Sequence, residues 1–102
     1  MYRASNRVSE RQQLEELAAI TKSLELSSET EAVAAELYLT SAPVKDRSKA
    51  ATMATSCYAA GLITGEQRSQ KRVSEAADVA RLTIQSRWRA LLLEAGFAVP
   101  QW

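Results

Sequence analysis

The chain has 102 residues, 46% of them hydrophobic and 25% charged, with a net charge of +1. That length and composition suit one soluble domain with a core of its own. With no His, one Cys and three Gly, the sequence excludes a zinc site, a histidine base, an intrachain disulfide and a phosphate-cradling glycine loop, so neither an enzyme nor a bound cofactor or metal is expected.

Apolar spacing is helical almost throughout, and no stretch alternates as a strand would. Residues 1–8 precede the pattern and read as an N-terminal arm. A capping box of Ser9 and Gln12 then opens a first helix with Leu14, Leu17, Ala18 and Leu24 on one stripe and Ile20 on its flank. Ser28 and Glu31 repeat the start signal for a second helix, which buries Val33, Leu37 and Tyr38 and is stopped by Pro43. The third segment, SKAATMATSCYAAGL, carries almost no charge after Lys49. A helix that is small and apolar on most sides is a buried central helix. Gly61 is its expected left-handed cap, with Leu62 folding back toward Cys57.

Ser69 is the expected N-cap of a fourth helix, QKRVSEAA, whose inner face is Val73, Ala76 and Ala77. Only a short turn separates it from the last helix, so the two must cross steeply, as in a helix-turn-helix at about 70–95. Asp78 falls where the turn needs a left-handed residue, and Val79 is its apolar plug. In the last helix Ile84, Trp88, Leu91, Leu92 and Ala95 form the inner stripe. Gly96 ends it, with Phe97 packing back on Leu92, and Pro100 prevents continuation.

Charge is unevenly spread. Residues 1–41 hold four basic and seven acidic side chains, a balance of −3, and residues 66–89 hold six basic and three acidic, a balance of +3. An acidic front and a basic back suggest a face able to meet phosphate, although a solvated helix start would also account for Arg68, Lys71 and Arg72. Cys57 reads as core, and so does Trp88, which lies on the inner stripe. Leu82 and Leu93 point away from that stripe and flank Arg89. Their face could meet DNA, a protein or a neighbouring helix of the same domain. Tyr2 and Trp102 are terminal aromatics, either frayed or packed across the fold.

Taken together, LITGEQRSQKRVSEAADVARLTIQSRWRALL resembles the end of a cyclin-like repeat of transcription factor IIB and its archaeal counterpart, the second repeat above all. One motif is Gly65, Glu66, Gln67, Arg68, Ser69, Gln70 and Lys71; the other is Thr83, Ile84, Trp88, Arg89 and Leu91. Upstream, LELSSETEAVAAELY is similar to the family's second helix, and DRSKAATMATSCYAAGL to the start of its alanine-rich third helix. The resemblance covers roughly residues 9–100. It implies an all-α, five-helix cyclin-like domain over 9–102 with a central buried third helix and a C-terminal helix-turn-helix.

For function, the resemblance implies a DNA-binding module that acts in or regulates transcription initiation. Its last helix would read a double-stranded promoter element in the major groove. Base readout falls to Leu82, Gln85, Ser86 and Arg89, and phosphate contacts fall to Arg68, Lys71, Arg72 and Arg81. Gln can pair bidentately with adenine and Leu can pack on a thymine methyl. Gln85 stands where the family often carries Arg. The family's zinc ribbon, its polymerase-reaching linker and one of its two repeats are missing, so a single-repeat relative or a cut-out of a longer factor is expected. TATA-binding protein is an implied partner. The alternative is a cyclin-type protein-interaction module that binds a transcription protein or a second copy as a homodimer, without sequence-specific readout. No small-molecule substrate is expected. With no apolar run near the roughly 20 residues that span a bilayer and no signal peptide, no membrane partner is expected either. The location is then cytoplasmic and nucleoid-associated in an archaeon, or nuclear in a eukaryote.

Overall fold

A computed structural model of the chain describes residues 4–41, 46–97 and 99. Tyr2, Trp102, Pro43 and Pro100 lie outside the described residues. The described chain is five helices: α1 (Ala4–Ser23), α2 (Ser28–Thr40), α3 (Asp46–Thr64), α4 (Gln70–Ala77) and α5 (Arg81–Glu94).

The third helix is central, as its composition requires. Every residue from Ala51 to Gly61 is buried, and α1, α2, α4 and α5 all pack against α3. Small side chains make this possible. Ala54, Ala59 and Ala60 are fully buried, so neighbouring helices approach closely on all sides. The buried hydroxyl of Thr55 is satisfied within the helix, donating to the carbonyl of Ala51 at 2.7 Å. Around α3 the core gathers Leu17 of the first helix and Leu24 just past its end, Leu37 and Tyr38 of the second, Val73 of the fourth, and Ile84, Trp88 and Leu92 of the fifth. Trp88 meets Tyr58 edge-on, with ring centroids 5.8 Å apart and planes at 70°.

Three helix ends differ from the sequence reading. Helix α1 begins at Ala4, so Ser9 is an interior position, not a cap, and the chain is helical well before the expected end of the arm. Helix α2 is capped by Ser27, whose hydroxyl accepts from the Thr30 amide, and not by Ser28. Helix α3 continues through Gly61, and the left-handed glycine is Gly65, at φ 82°. Gly61 is glycine for another reason: the returning chain crosses it. A Cβ there would lie 2.8 Å from the Glu66 carbonyl oxygen, and the Glu66 amide donates to the Gly61 carbonyl at 2.9 Å.

The end of α5 is as expected. Gly96 sits at φ 88°, its amide donates to Leu93 at 3.0 Å, and Phe97 donates to Leu92 at 2.9 Å, which is a Schellman motif. The end of α1 uses the same pair of bonds without a glycine. Leu26 donates to Thr21 and Glu25 to Lys22, both at 3.0 Å, with Glu25 held at φ 57°.

Candidate nucleic-acid interface

The last two helices are separated by three residues, Asp78, Val79 and Ala80. The Ser69 hydroxyl accepts from the Arg72 amide at 3.1 Å and starts α4. The chain leaves α4 through Asp78, left-handed at φ 55°, ψ 47°, and the amides of Asp78 and Val79 both donate to the Ser74 carbonyl. Helix α5 then starts at Arg81. Its N-cap, Ala80, provides no side-chain hydrogen bond, and its first turn holds no acidic residue. The positive end of that helix is therefore left to its own amides and to Arg81.

One face of α5 anchors it. Ile84, Trp88, Leu91 and Leu92 are buried against the core. The opposite face carries Leu82 (73% exposed), Gln85, Ser86 and Leu93 (64% exposed). Among the described residues, no neighbouring helix covers these leucines.

The three polar residues expected at a base edge each have a local partner. Gln85 is exposed, and its Oε1 accepts from Gln70 Nε2 of α4, a bond that ties the two helices together beyond the turn. Ser86 donates its hydroxyl back to the Thr83 carbonyl at 3.1 Å. It also borders a recess of about 230 Å³ among Ser41, Thr52, Arg87 and Glu94. Arg89 is half-buried and lays its guanidinium over the Trp88 ring, 4.6 Å from the centroid. Packed on a buried ring, the guanidinium has a fixed starting orientation beside Leu82 and Leu93.

The residues expected at phosphates divide into two groups. Lys71, Arg72 and Arg81 are exposed, the first two on α4 and the third at the start of α5. Arg68 is half-buried and serves the fold. Its Nε donates to the Leu24 carbonyl at 2.9 Å, Nη2 to Glu25 at 3.1 Å, and Nη1 to Glu66 at 3.2 Å and Gln67 at 3.3 Å. These bonds close the open carbonyl end of α1 and fix the loop ahead of α4.

Glu66 works from the same loop. Its Oε1 accepts from the Ser27 amide at 3.0 Å, the Ser27 hydroxyl at 2.9 Å and the Thr30 hydroxyl. In a capping box the acid comes from within the helix. Here it reaches the start of α2 from a distant loop. The Thr30 hydroxyl bond, with the Ser27 amide and hydroxyl bonds behind it, holds the Glu66 carboxyl below the ordinary carboxylate range. Sequence reasoning missed both Glu66 as a cap and Gln70 as the partner of Gln85. Each contact joins residues whose proximity comes from tertiary packing, and no local spacing signals it.

Fold and site together define an all-α domain whose described residues form five helices, the last two joined by a short turn and the last with an exposed outer face. Residues 5–94 match the transcription factor TFIIB repeat, and the chain belongs to that family. Its architecture is accordingly a cyclin-like all-α fold, as the motifs at 65–71 and 83–91 imply. The chain is 34% identical over 88 residues to transcription initiation factor IIB 3 of Halobacterium salinarum, covering 83% of this chain and 28% of that protein. It is 37% identical over 54 residues to transcription initiation factor IIB of Pyrococcus horikoshii and of Pyrococcus abyssi, covering 53% of this chain and 18% of each. It thus spans between 18% and 28% of the length of these relatives. Among the described residues, no helix is long and apolar enough to cross a membrane.

Proposed function

We propose that the chain acts in transcription initiation as a DNA-binding module, with α5 entering the major groove of a promoter element. One observation carries this reading. The helix is anchored by Ile84, Trp88, Leu91 and Leu92, while its outward face presents Leu82, Gln85 and the stacked Arg89, and exposed cations stand on α4 (Lys71, Arg72) and at the start of α5 (Arg81). Names of the relatives support the setting in initiation. Leu82 suits a thymine methyl, Arg89 a guanine, and Lys71, Arg72 and Arg81 the flanking phosphates. Ser86 is an auxiliary contact, since its hydroxyl proton is already given to Thr83. Arg68 leaves the phosphate set because its donors hold carbonyls. A contact with TATA-binding protein belongs to the same proposal.

A titration of the purified chain against promoter-like duplexes tests the reading. Gln85→Ala and Arg89→Ala should each cost about 1–3 kcal/mol on the preferred duplex and much less on a scrambled one. Readout through α5 fails if both variants keep wild-type affinity and preference.

A second reading rests on Leu82 and Leu93, two large apolar residues exposed on one face. It makes α5 a docking helix for another protein or a second copy. Binding that hardly responds to salt, or a dimer by light scattering that Leu82→Ser disperses, would favour it.

A further inference from the structure

A helix in the major groove runs between two phosphate ridges, and the cations assigned above stand on α4 and at the start of α5, toward one flank of that helix. We propose that the recess on the other flank of α5 is a second backbone-phosphate site, in which Arg87 and the Ser41 hydroxyl hold a DNA phosphate of the opposite ridge. The proposal rests on the DNA-reading function above and deepens it.

Dimensions call for contacts on both flanks. The groove is about 12 Å wide and a helix with its side chains about 10–12 Å across, so an inserted helix meets backbone on each side. Gln85 marks the α4 flank, where its side chain reaches Gln70. Arg87 is two residues further on, hence roughly 160° round the helix, and it is exposed. It borders the recess of about 230 Å³, which is lined also by Ser41 at the end of α2, by Thr52 and Thr55 of α3, and by Ser86 and Glu94 of α5. Among the described residues α4 contributes nothing to this recess.

The lining suits an anion at one end. Ser86 and Thr55 have given their hydroxyl protons to the carbonyls of Thr83 and Ala51. The Ser41 hydroxyl oxygen is buried and has no hydrogen-bond partner among the described residues. An unpaired buried hydroxyl costs stability, and a ligand oxygen that accepts its proton offsets that cost. Arg87 adds a charged, planar set of donors that matches phosphate oxygens. Glu94 stands seven residues beyond Arg87, about 10 Å along α5, and its charge confines an anion to the Arg87 end. Ser86 belongs both to the recess and to the outward face of α5, so the recess opens beside the reading residues. A phosphate of bound DNA therefore suits it better than a free anion.

The test uses the preferred duplex with one phosphate at a time made neutral as methylphosphonate. Wild type, Arg87→Ala, Ser41→Ala and Lys71→Ala are titrated against this set by fluorescence anisotropy. Wild type should weaken at phosphates on both sides of the groove. Arg87→Ala and Ser41→Ala should each bind the native duplex about tenfold more weakly. Both should become indifferent to neutralisation of the same phosphate, across the groove from the one that Lys71→Ala ignores. In the free protein Ser41→Ala should melt no lower than wild type, because its hydroxyl holds nothing there.

Wild-type binding by Arg87→Ala and Ser41→Ala overturns the proposal. So does a lower melting temperature for Ser41→Ala, or one phosphate shared by Arg87 and Lys71. Inorganic phosphate supplies the remaining arm. If it shifts the amide resonances of Ser41 and Arg87 while neither variant changes the duplex contacts, the recess takes a free anion and the proposal fails. In each of these cases the DNA-reading function still stands or falls by Gln85→Ala and Arg89→Ala. If wild type prefers no duplex, function and proposal fall together.

Discussion

At Cys57 a single side chain links burial to pH. The thiol is 1% exposed within α3, and burial, aided by the Glu31 charge, pushes its pKa from 9.0 up to about 12. The unfolded thiol ionises near 9.0 and the folded one only near 12, so between these values the unfolded state binds fewer protons. Stability therefore falls as pH rises through that window, by up to about 1.4 kcal/mol per pH unit from this group. Urea unfolding of wild type and Cys57→Ala at pH 8 and pH 10.5 checks this. The wild type should lose more stability between the two, because the variant lacks the thiol. Equal losses would mean that Cys57 ionises as readily folded as unfolded. The same burial makes the thiol inert to modification in the folded protein. The small, apolar makeup of the third helix assigns Cys57 to the core, and its place on the inner stripe of the last helix assigns Trp88. Gly61 was harder, because glycine serves both as a cap and as a place for another chain to cross. Only the Glu66 carbonyl 2.8 Å from where its Cβ would be decides between them.

Among the elements, the loop of residues 65–69 is what joins the first half of the fold to the second. Glu66 caps α2 and Arg68 closes α1, so one loop anchors both early helices and sets where α4 begins. Helix order, the buried third helix and the turn at Asp78 were legible because each follows from local pattern. Hydrophobic period, small-residue content and a residue tolerant of positive φ are all written within a few positions. The start of α2 was misplaced by one serine because its decisive partner lies 39 residues away. Ser27→Ala should cost about 1 kcal/mol by chemical denaturation, as loss of an N-cap does. Acid tests the Glu66 side of the same contact. Its carboxyl titrates lower folded than unfolded, so the stability it gives is full above the usual 4.5 and is lost as pH falls through the folded value. Wild type should therefore lose stability between pH 5 and pH 3 more steeply than Glu66→Gln. A parallel decline would mean that the carboxylate gives α2 no charge-dependent support.

For the whole molecule, the balance of charge sets what kind of binding is possible. A net charge of +1 provides little general attraction for a polyanion, so affinity must come from a local face. Lys71 and Arg72 are exposed on α4 and Arg81 at the start of α5, while seven acidic side chains lie within residues 1–41. If these three cations each neutralise one phosphate, the logarithm of the binding constant should fall against the logarithm of salt with a slope of about −3. Lys71→Ala should weaken all duplexes alike and make the slope shallower by about one, leaving sequence preference intact. Gln85→Ala should do the opposite, leaving the slope and removing preference. Fluorescence anisotropy between 50 and roughly 300 mM salt separates the two classes of contact. A slope near zero would mean that the face works through Leu82 and Leu93 and docks protein. A slope far steeper than −3 would require cations beyond this face, and so a different orientation of the domain on DNA.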